Sequence, residues 1–278
     1  MATHWLNMYF YFGFGSNINM TSLAAKGVVP ISSQPAVLRG WKLRFNVQHF
    51  FRIEGGVGNV EYTGDLQDRV LGMLHECQDS TLDYLDATEA YGHGYDRIRV
   101  DVELLSEPLA EQADKVQKRK AYVYVGMPSF IDNDCLPSRR YLNIILTGAE
   151  QAGFDSDYIQ QLSKHPIHDS RDYPAYIPPK GEYPIFDVDS LEKEPLFTAL
   201  LGSVFDMSNA RPHHEFLKKF FGGQDMTLFH LKRLDSANNQ ETIEDIKENR
   251  LNEKQTKYLN NYLNEYAQEY RYVGRFCY

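Results

Sequence analysis

Several short stretches in the first half of the chain alternate hydrophobic with polar residues, which is the period of a β-strand. Glycine or polar turn residues separate one stretch from the next. This pattern predicts strands over residues 8–14, 36–47, 55–63, 69–78, 95–105 and 119–126.

The spacing of apolar residues changes to that of a helix between or after these strands. It predicts helices over residues 23–29, 79–92, 137–154 and 156–164. In the second of them, Asp79 or Ser80 can cap the start, and Gly92 can end the helix. The first half of the chain therefore mixes strands with helices.

The second half begins with a change of composition. Residues 165–189 contain five prolines and little periodicity, which predicts a linker or a wrapping arm. A new set of elements follows, with a strand pair, two helical pieces broken by a double glycine, and a last helix and strand. We therefore predict a first domain over 1–165, a linker over 166–189 and a second domain over 190–278.

The last predicted helix carries Tyr258, Tyr262 and Tyr266 at every fourth position. Residues four apart lie on one face of a helix. A stripe at this spacing favours a role in the core over a ligand site.

Composition and charge narrow the class of protein. The chain has 278 residues, of which 42% are hydrophobic, so it can bury one large core or two ordinary ones. A net charge of −9 argues against a nucleic-acid partner.

The three cysteines form no Cys-x-x-Cys pair, which is typical of a reducing compartment. No apolar run is long enough for a membrane span, and the N-terminus does not resemble a signal peptide, so we expect a cytoplasmic protein.

A glycine loop follows the first predicted strand, in the stretch YFGFGSN at residues 11–17. A dinucleotide fingerprint needs a third glycine where Ile18 stands, and a phosphate-binding loop needs a lysine that the stretch lacks. The backbone N–H groups of such a turn can still bind a carboxylate or an oxyanion, and its glycines let a ligand approach closely. The alternative is a tight turn in which the Asn17 side chain satisfies its own backbone.

Glu89 is the candidate acid/base. It lies four residues after Leu85, so we expect it on the apolar face of the predicted helix over 79–92. Burial of a carboxylate there would raise its pKa toward the range that a general acid/base near neutral pH needs. The alternatives are that Glu89 reaches solvent at the helix end, or that it pairs with Arg97 or Arg99.

Five motifs occur in order between about residues 8 and 164. They are YFGFGSN, GGVGNVEY, VLGMLHEC, LDATEAYGHGYDRIRVDV and PSRRYLNIILTGAEQAGF. In this order they resemble the γ-glutamylcyclotransferase family, whose signature has a Tyr-Gly-Ser-Asn loop, a Gly-Val strand, a Leu-Asp-x-x-Glu helix, a Tyr-x-Arg strand and a Pro-Ser-x-x-Tyr helix. The resemblance implies an α+β fold with a mixed, barrel-like sheet.

The resemblance also implies roles for single residues. The family's loop binds the glutamyl end of the substrate, and its helix glutamate, the catalytic acid/base, matches Glu89. The residues expected to bind the substrate are Phe14, Gly15, Ser16, Asn17, Tyr95 and Tyr141. Phe14 stands where the family usually has tyrosine, so specificity differs if that tyrosine hydroxyl contacts the substrate. No metal ligand is implied.

The implied reaction is an intramolecular aminolysis. The α-amino group of a small γ-glutamyl substrate attacks its own γ-carbonyl, 5-oxoproline forms, and an amine or amino acid leaves. Glu89 moves the proton, and such a transfer is typically worth about 10²–10⁴-fold in rate. No cofactor is required. A dipeptide, glutathione, a γ-glutamylamine and a biosynthetic intermediate are all open as substrates.

The end of the chain carries the motifs LLGSVFDMS, FFGGQDMTLFHL and LNEKQTKYLNNYLNEYAQEYRYVGRF. They resemble the cytochrome-b5-like family of the membrane-associated progesterone-receptor type over about residues 190–278, which implies a small α+β domain. Members of this type can bind haem through a tyrosine three residues before the Phe of a Phe-x-Gly motif. Lys218 occupies that place here, which argues against haem. His213 and His214 are either iron ligands or the start of a helix.

Two functions compete. The first is a γ-glutamylcyclotransferase with an appended cytochrome-b5-like domain. The second is a non-catalytic binding protein that uses both parts to recruit a partner or an apolar or haem ligand. Glu89 favours the enzyme, because a scaffold has no need of a carboxylate on an apolar helix face. The sequence indicates no oligomeric state.

Overall fold

The computed structural model describes residues 8–105, 117–169 and 172–278. Contacts among them divide the chain into two compact units. The described residues of unit 1 fall within Met1–His49 and Glu54–His168, and those of unit 2 within Phe50–Ile53 and Asp169–Tyr278. From Asp169 onward, the proline-rich arm therefore belongs to unit 2, and so does the short segment Phe50–Ile53.

A closed barrel is the frame of unit 1. The strands of this unit are β1 (Met8–Gly13), β2 (Ser32–Arg39), β3 (Trp41–Gln48), β4 (Gly56–Tyr62), β5 (Arg69–Gln78), β6 (Tyr95–Leu104) and β7 (Lys118–Gly126). The barrel has the strand order β1-β5-β2-β6-β7 and closes where β7 pairs with β1 in parallel, Tyr122 opposite Tyr11. Strands β3 and β4 form a separate antiparallel pair. Alternate apolar residues such as Phe12, Val70 and Val102 are fully buried in one cluster, as the predicted alternation requires.

In the part of unit 1 that the structure describes, four α-helices accompany the barrel. They are α1 (Met20–Ala24), α2 (Leu82–Thr88), α3 (Arg139–Gln151) and α4 (Ser156–Ser163). Ser138 caps α3 by accepting a hydrogen bond from the Tyr141 backbone N–H at 3.1 Å. Gly148 lets α3 approach the loop after β1, because a Cβ on it would lie 2.7 Å from the Asn19 backbone nitrogen.

Two predicted helices have different bounds in the structure. The helix expected over 23–29 lies at Met20–Ala24, and Gly27 follows it with a φ of 75°. The helix expected over 79–92 begins with a 3₁₀ turn and ends at Thr88, because Ala90 has a left-handed φ of 52°. Glu89 is therefore the residue that ends α2 rather than one inside it.

Unit 2 combines a five-stranded sheet with short helices. Its strands are β8 (Ile185–Phe186), β9 (Phe197–Leu200), β10 (Ser203–Asp206), β11 (Gln224–Asp225) and β12 (Arg271–Phe276), in the order β11-β9-β10-β12-β8. Its helices are α5 (Val188–Leu191), α6 (Glu215–Phe221), α7 (Thr227–Leu231), α8 (Ile243–Lys247) and α9 (Glu253–Glu269). The sequence pattern did not predict β8, α5 or α8, which are too short to show a period.

The core of unit 2 is rich in aromatic rings. Tyr262 and Tyr266 on α9 are 2% and 0% exposed, so the tyrosine stripe belongs to the core, as predicted. Phe51 is also buried, and its ring stacks on Tyr266 with the centroids 5.2 Å apart. The α+β class with a barrel-like first part is confirmed, whereas the cytochrome-b5-like nature of residues 190–278 stays a prediction.

Two further properties concern the described residues. Their helices include none with the length and apolar character that crossing a bilayer requires. Cys77, Cys135 and Cys277 are all free thiols.

Candidate active site

A small pocket in unit 1 contains every residue that the sequence proposed for the site. It is lined by Tyr11, Phe14, Gly15, Ser16, Asn17, Gly58, Glu89, Tyr95, Tyr124 and Tyr141. The volume of the cavity is about 30 Å³. Pockets for drug-sized ligands are typically about 300–1,000 Å³, so this cavity suits one small group of a ligand.

Glu89 reaches the pocket from the end of α2. Leu85, one turn earlier, is completely buried and anchors the helix. The left-handed Ala90 then turns the chain away, and the Glu89 side chain remains 14% exposed at the pocket wall. The carboxylate is thus mostly buried and still lines the cavity.

The ion-pair partner of Glu89 is Lys26, which the sequence analysis did not identify. The Lys26 side chain is 6% exposed, and its Nζ lies 2.7 Å from Glu89 Oε1. Arg97, one of the partners considered from the sequence, instead pairs with Asp86 at 2.8 Å. The available signal for Lys26 was weak: a single lysine inside the apolar segment 23–29.

Asn17 connects the loop to this ion pair. Its side chain is 3% exposed, and Nδ2 donates to Glu89 Oε1 at 2.8 Å and to Tyr11 Oη at 2.6 Å. Its Oδ1 accepts a hydrogen bond from Lys26 Nζ at 2.7 Å. Both amide hydrogens of Asn17 are therefore used within the protein, which makes this side chain an orienting group for Glu89.

Tyr95 and Tyr141 hold Gly58 from two sides. The Tyr95 hydroxyl donates to the Gly58 carbonyl oxygen at 2.6 Å, and the Gly58 N–H donates to Tyr141 Oη at 3.0 Å. Gly15 lies against the same hydroxyl, since a Cβ on it would be 2.6 Å from Tyr141 Oη. The loop therefore needs glycine at position 15 for close approach.

The tyrosine hydroxyls of the pocket stay protonated at neutral pH. Burial raises the pKa of Tyr141 to about 12 and raises the pKa values of Tyr11 and Tyr95 well above their usual range. Burial, followed by the hydrogen bond to Asp86, also raises the pKa of Tyr124. These groups are neutral polar contacts for a ligand, not charged ones.

A second series of hydrogen bonds holds Tyr124 in place. Its hydroxyl donates to Asp86 Oδ1 at 2.5 Å, and Arg97 Nη1 donates to both oxygens of Asp86 at 2.8 Å. The Arg97 guanidinium lies over the rings of Tyr91 and Tyr122. Arg97 thus fixes a pocket tyrosine through Asp86.

His75 on β5 holds the loop from beneath the pocket. The ring is 0% exposed, with Nε2 3.0 Å from the Asn17 carbonyl oxygen and Nδ1 2.8 Å from Ser33 Oγ. A carbonyl oxygen only accepts, so Nε2 carries the hydrogen and Nδ1 accepts from the serine. Burial lowers the pKa of His75 to about 4, so the ring is neutral at physiological pH.

Haem ligation can be tested on the side chains of unit 2. Lys218 pairs through Nζ with Glu215 at 2.9 Å. His214 is fully buried, and its two ring nitrogens lie 2.8 Å from Tyr270 Oη and 2.6 Å from the Phe50 carbonyl oxygen. These contacts do not fit axial ligation of iron. Pro212–His214 is a 3₁₀ turn that leads into α6, which is the helix start considered from the sequence.

The resemblance implies no metal ligand. A metal site would need several ligand side chains close together in residues 8–105, 117–169 or 172–278, which the structure describes. Within those ranges, no three His, Cys, Asp or Glu side chains are grouped as a metal site would require.

Residues 69–162 match the model of the AIG2-like family. This segment runs from the start of β5 to α4 and contains Glu89, Tyr95 and Tyr141, but it is less than half of the chain. The loop at 14–17 and Lys26 lie outside it. Curated proteins give no significant match.

Seventeen solved chains match this protein. One is a gamma-glutamyl cyclotransferase with 23% identity and a TM-score of 0.48, over 59% of this chain and 90% of the other. An uncharacterized protein from Homo sapiens has 22% identity and a TM-score of 0.47, over 62% and 94%. YkqA from Bacillus subtilis has 20% identity and a TM-score of 0.46, over 58% and 56%. These likenesses are too distant to carry an argument about activity.

Proposed function

We propose that this protein is a γ-glutamylcyclotransferase-type enzyme that converts the γ-glutamyl group of a small substrate to 5-oxoproline. The observation that carries the proposal is the Glu89 carboxylate, oriented by two hydrogen bonds at the wall of a small pocket. Neutral tyrosine hydroxyls and the glycine loop form the rest of the wall.

The proposed reaction uses groups that the pocket already orients. Glu89 accepts a proton from the substrate's α-ammonium group, and the freed amine attacks the γ-carbonyl carbon. The bond from that carbon to the leaving nitrogen then breaks, and Glu89 returns the proton to the leaving nitrogen. A second proton moves from the ring nitrogen to the released amine, which departs as an ammonium ion. Because nucleophile and electrophile belong to one molecule, orientation supplies much of the acceleration and no cofactor is needed.

We assign the loop Phe14–Asn17 to the glutamyl end of the substrate. Gly15 permits close approach of a ligand to the backbone, as it already permits the approach of the Tyr141 hydroxyl. Backbone N–H groups and phenols suit an α-carboxylate or a developing oxyanion. Phe14 is 5% exposed and contributes an apolar wall where the family usually has a phenol.

The order of the five sequence motifs and the AIG2-like match over residues 69–162 also support this proposal. The matched segment includes Glu89, the proposed acid/base, and Tyr141, which contacts the loop.

The test is release of 5-oxoproline from γ-glutamyl dipeptides, glutathione and γ-glutamylamines. For any substrate that reacts, its N-acetylated form is the control, because acetylation removes the nucleophile and leaves the scissile amide. We expect release from the free amine and none from the acetylated form. Release of the amine from both forms would show hydrolysis and contradict the proposal.

A second candidate is a non-catalytic binding protein. A buried ion pair such as Glu89–Lys26 also occurs as a purely structural contact, and this favours the second candidate. In that case the folded protein would bind a γ-glutamyl compound, measured by calorimetry, without releasing 5-oxoproline from it.

A further inference from the structure

We infer that Lys26 is a positioning residue that keeps the Glu89 carboxylate ionised and fixes its orientation. Its catalytic meaning rests on the proposed function, but the pairing can be measured without any activity. Neither the motifs nor the AIG2-like match includes Lys26.

The geometry is a closed triangle of three side chains. Lys26 Nζ donates to Glu89 Oε1 at 2.7 Å and to Asn17 Oδ1 at 2.7 Å. Asn17 Nδ2 donates to the same Glu89 oxygen at 2.8 Å. Rotation of the carboxylate would break two hydrogen bonds at once, so the triangle fixes how Glu89 meets the pocket.

The burial of this pair sets it apart from an ordinary surface ion pair. The side chains of Lys26 and Glu89 are 6% and 14% exposed, whereas the Lys42 side chain, paired with Asp68, is 49% exposed. A buried pair pays a large desolvation cost and is weak evidence for stability alone. Glu89, one member of the pair, lines the pocket, which points to a role there.

The charge of Lys26 opposes the effect of burial on Glu89. Burial favours the protonated carboxylic acid, and an ammonium group in direct contact favours the carboxylate. A carboxylate is the form that accepts a proton from the substrate. Lys26 therefore prepares Glu89 for the first step of the proposed reaction, and a neutral residue at position 26 cannot.

The experiment follows the titration of Glu89 by NMR in protein labelled with ¹³C at the glutamate carboxyl. Glu89→Gln identifies the resonance. Lys26→Met removes the charge and the donor, Lys26→Gln removes only the charge, and Lys26→Arg keeps the charge. Lys42→Met is the matched control, because it removes a lysine from an exposed ion pair with Asp68. Circular dichroism confirms that each variant is folded.

We expect the Glu89 midpoint to rise by about one to three pH units in Lys26→Met and Lys26→Gln. It should return toward the wild-type value in Lys26→Arg and stay unchanged in Lys42→Met. If Lys26→Met does not fold, Lys26→Gln gives the same comparison. An unchanged midpoint in a folded neutral variant would overturn the inference.

Kinetics separate this inference from the proposed function. If the wild type releases 5-oxoproline, the acid limb of its kcat/KM profile should move to higher pH in Lys26→Gln, together with the NMR midpoint. If the wild type is inactive on the whole substrate panel, the proposed function fails, while the titration still decides whether Lys26 holds Glu89 ionised.

Discussion

Asn17 shows how one residue of the pocket can orient another. Its amide donates to Glu89 and Tyr11, and its carbonyl groups accept from Lys26 and His75. The sequence analysis assigned Asn17 to substrate binding. Its side-chain contacts also support a role in orienting Glu89.

The contact between Gly15 and Tyr141 yields a test by a double-mutant cycle. Gly15→Ala places a methyl group 2.6 Å from Tyr141 Oη, so we expect a loss of about 1–3 kcal/mol in the free energy of unfolding. In a Tyr141→Phe background the hydroxyl is gone, so the same alanine should cost clearly less. Urea denaturation of the four proteins measures the coupling.

Gly94→Ala is the matched control for that cycle, because a Cβ there has its nearest neighbour at 3.8 Å. It should change stability little. Costs of Gly15→Ala that agree within about 0.5 kcal/mol in the two backgrounds would contradict the proposed contact.

His75 gives a prediction for the pH dependence of stability. Its pKa is about 4 in the folded protein and about 6.5 when unfolded, so the unfolded chain binds more protons between these values. The stability from the neutral ring is present above pH 6.5 and is lost as the pH falls. We expect this group to remove about 2 kcal/mol between pH 7 and pH 5.

The comparison is between wild type and His75→Gln, whose amide can still donate to the Asn17 carbonyl oxygen. Urea denaturation at both pH values should show a smaller pH-dependent loss in the variant, by about the same 2 kcal/mol. Equal losses in both proteins would mean that His75 is not held neutral.

At the scale of single elements, the ends of helices determine where the site residues point. Ser138 caps α3 and thereby places Tyr141 in the first turn of that helix, beside Gly58 and the loop. The left-handed Ala90 stops α2 at Thr88 and leaves Glu89 as the capping residue that follows it. A pattern of apolar residues predicts the helix, but not the residue at which it ends.

Unit 2 offers a packing test in the segment Phe50–Ile53. The Phe51 ring stacks on Tyr266 and meets the rings of His214 and Tyr262 edge-on, at 5.2 and 5.3 Å. Phe51→Ala removes this buried ring and should cost about 3–5 kcal/mol. Hydrogen exchange of peptides from α9, followed by mass spectrometry, should show the loss of protection.

Phe50→Ala is the control, since Phe50 is only partly buried. We expect a smaller loss of protection in α9 from this change. Protection that is the same in Phe51→Ala and in wild type would show that Phe51 does not support the core of unit 2.

Short-range patterns predicted most of the elements, and the seven site residues that the resemblance implied line one pocket. Strand alternation predicted β1, β5, β6 and β7, but it merged β2 and β3 into one strand over 36–47, which the structure breaks at Gly40. Motif order pointed to Glu89 and the loop. Lys26 could not be predicted, because it meets Glu89 across 63 residues of sequence. Tyr11, Tyr124 and His75 were missed for a related reason: strand periodicity does not reveal which inward side chain faces a pocket and which faces the core.

At the scale of the whole molecule, the closed barrel brings distant segments to one pocket. The order β1-β5-β2-β6-β7 places the loop after β1, the end of α2 and the start of α3 together. We propose that Glu89 transfers the proton in cyclisation of a γ-glutamyl substrate. The ion pair with Lys26 and the hydrogen bond from Asn17 orient that carboxylate, and neutral tyrosine hydroxyls line the same pocket.

The most direct test compares rates of 5-oxoproline release by wild type, Glu89→Gln and Glu61→Gln at pH 7 with a saturating substrate. Glu61 is the control, because its carboxylate is exposed and paired with Arg44 outside the pocket lining. We predict that Glu89→Gln, while folded, lowers kcat by about 10²–10⁴-fold, and that Glu61→Gln leaves it unchanged. A folded Glu89→Gln protein with the wild-type rate would contradict the account.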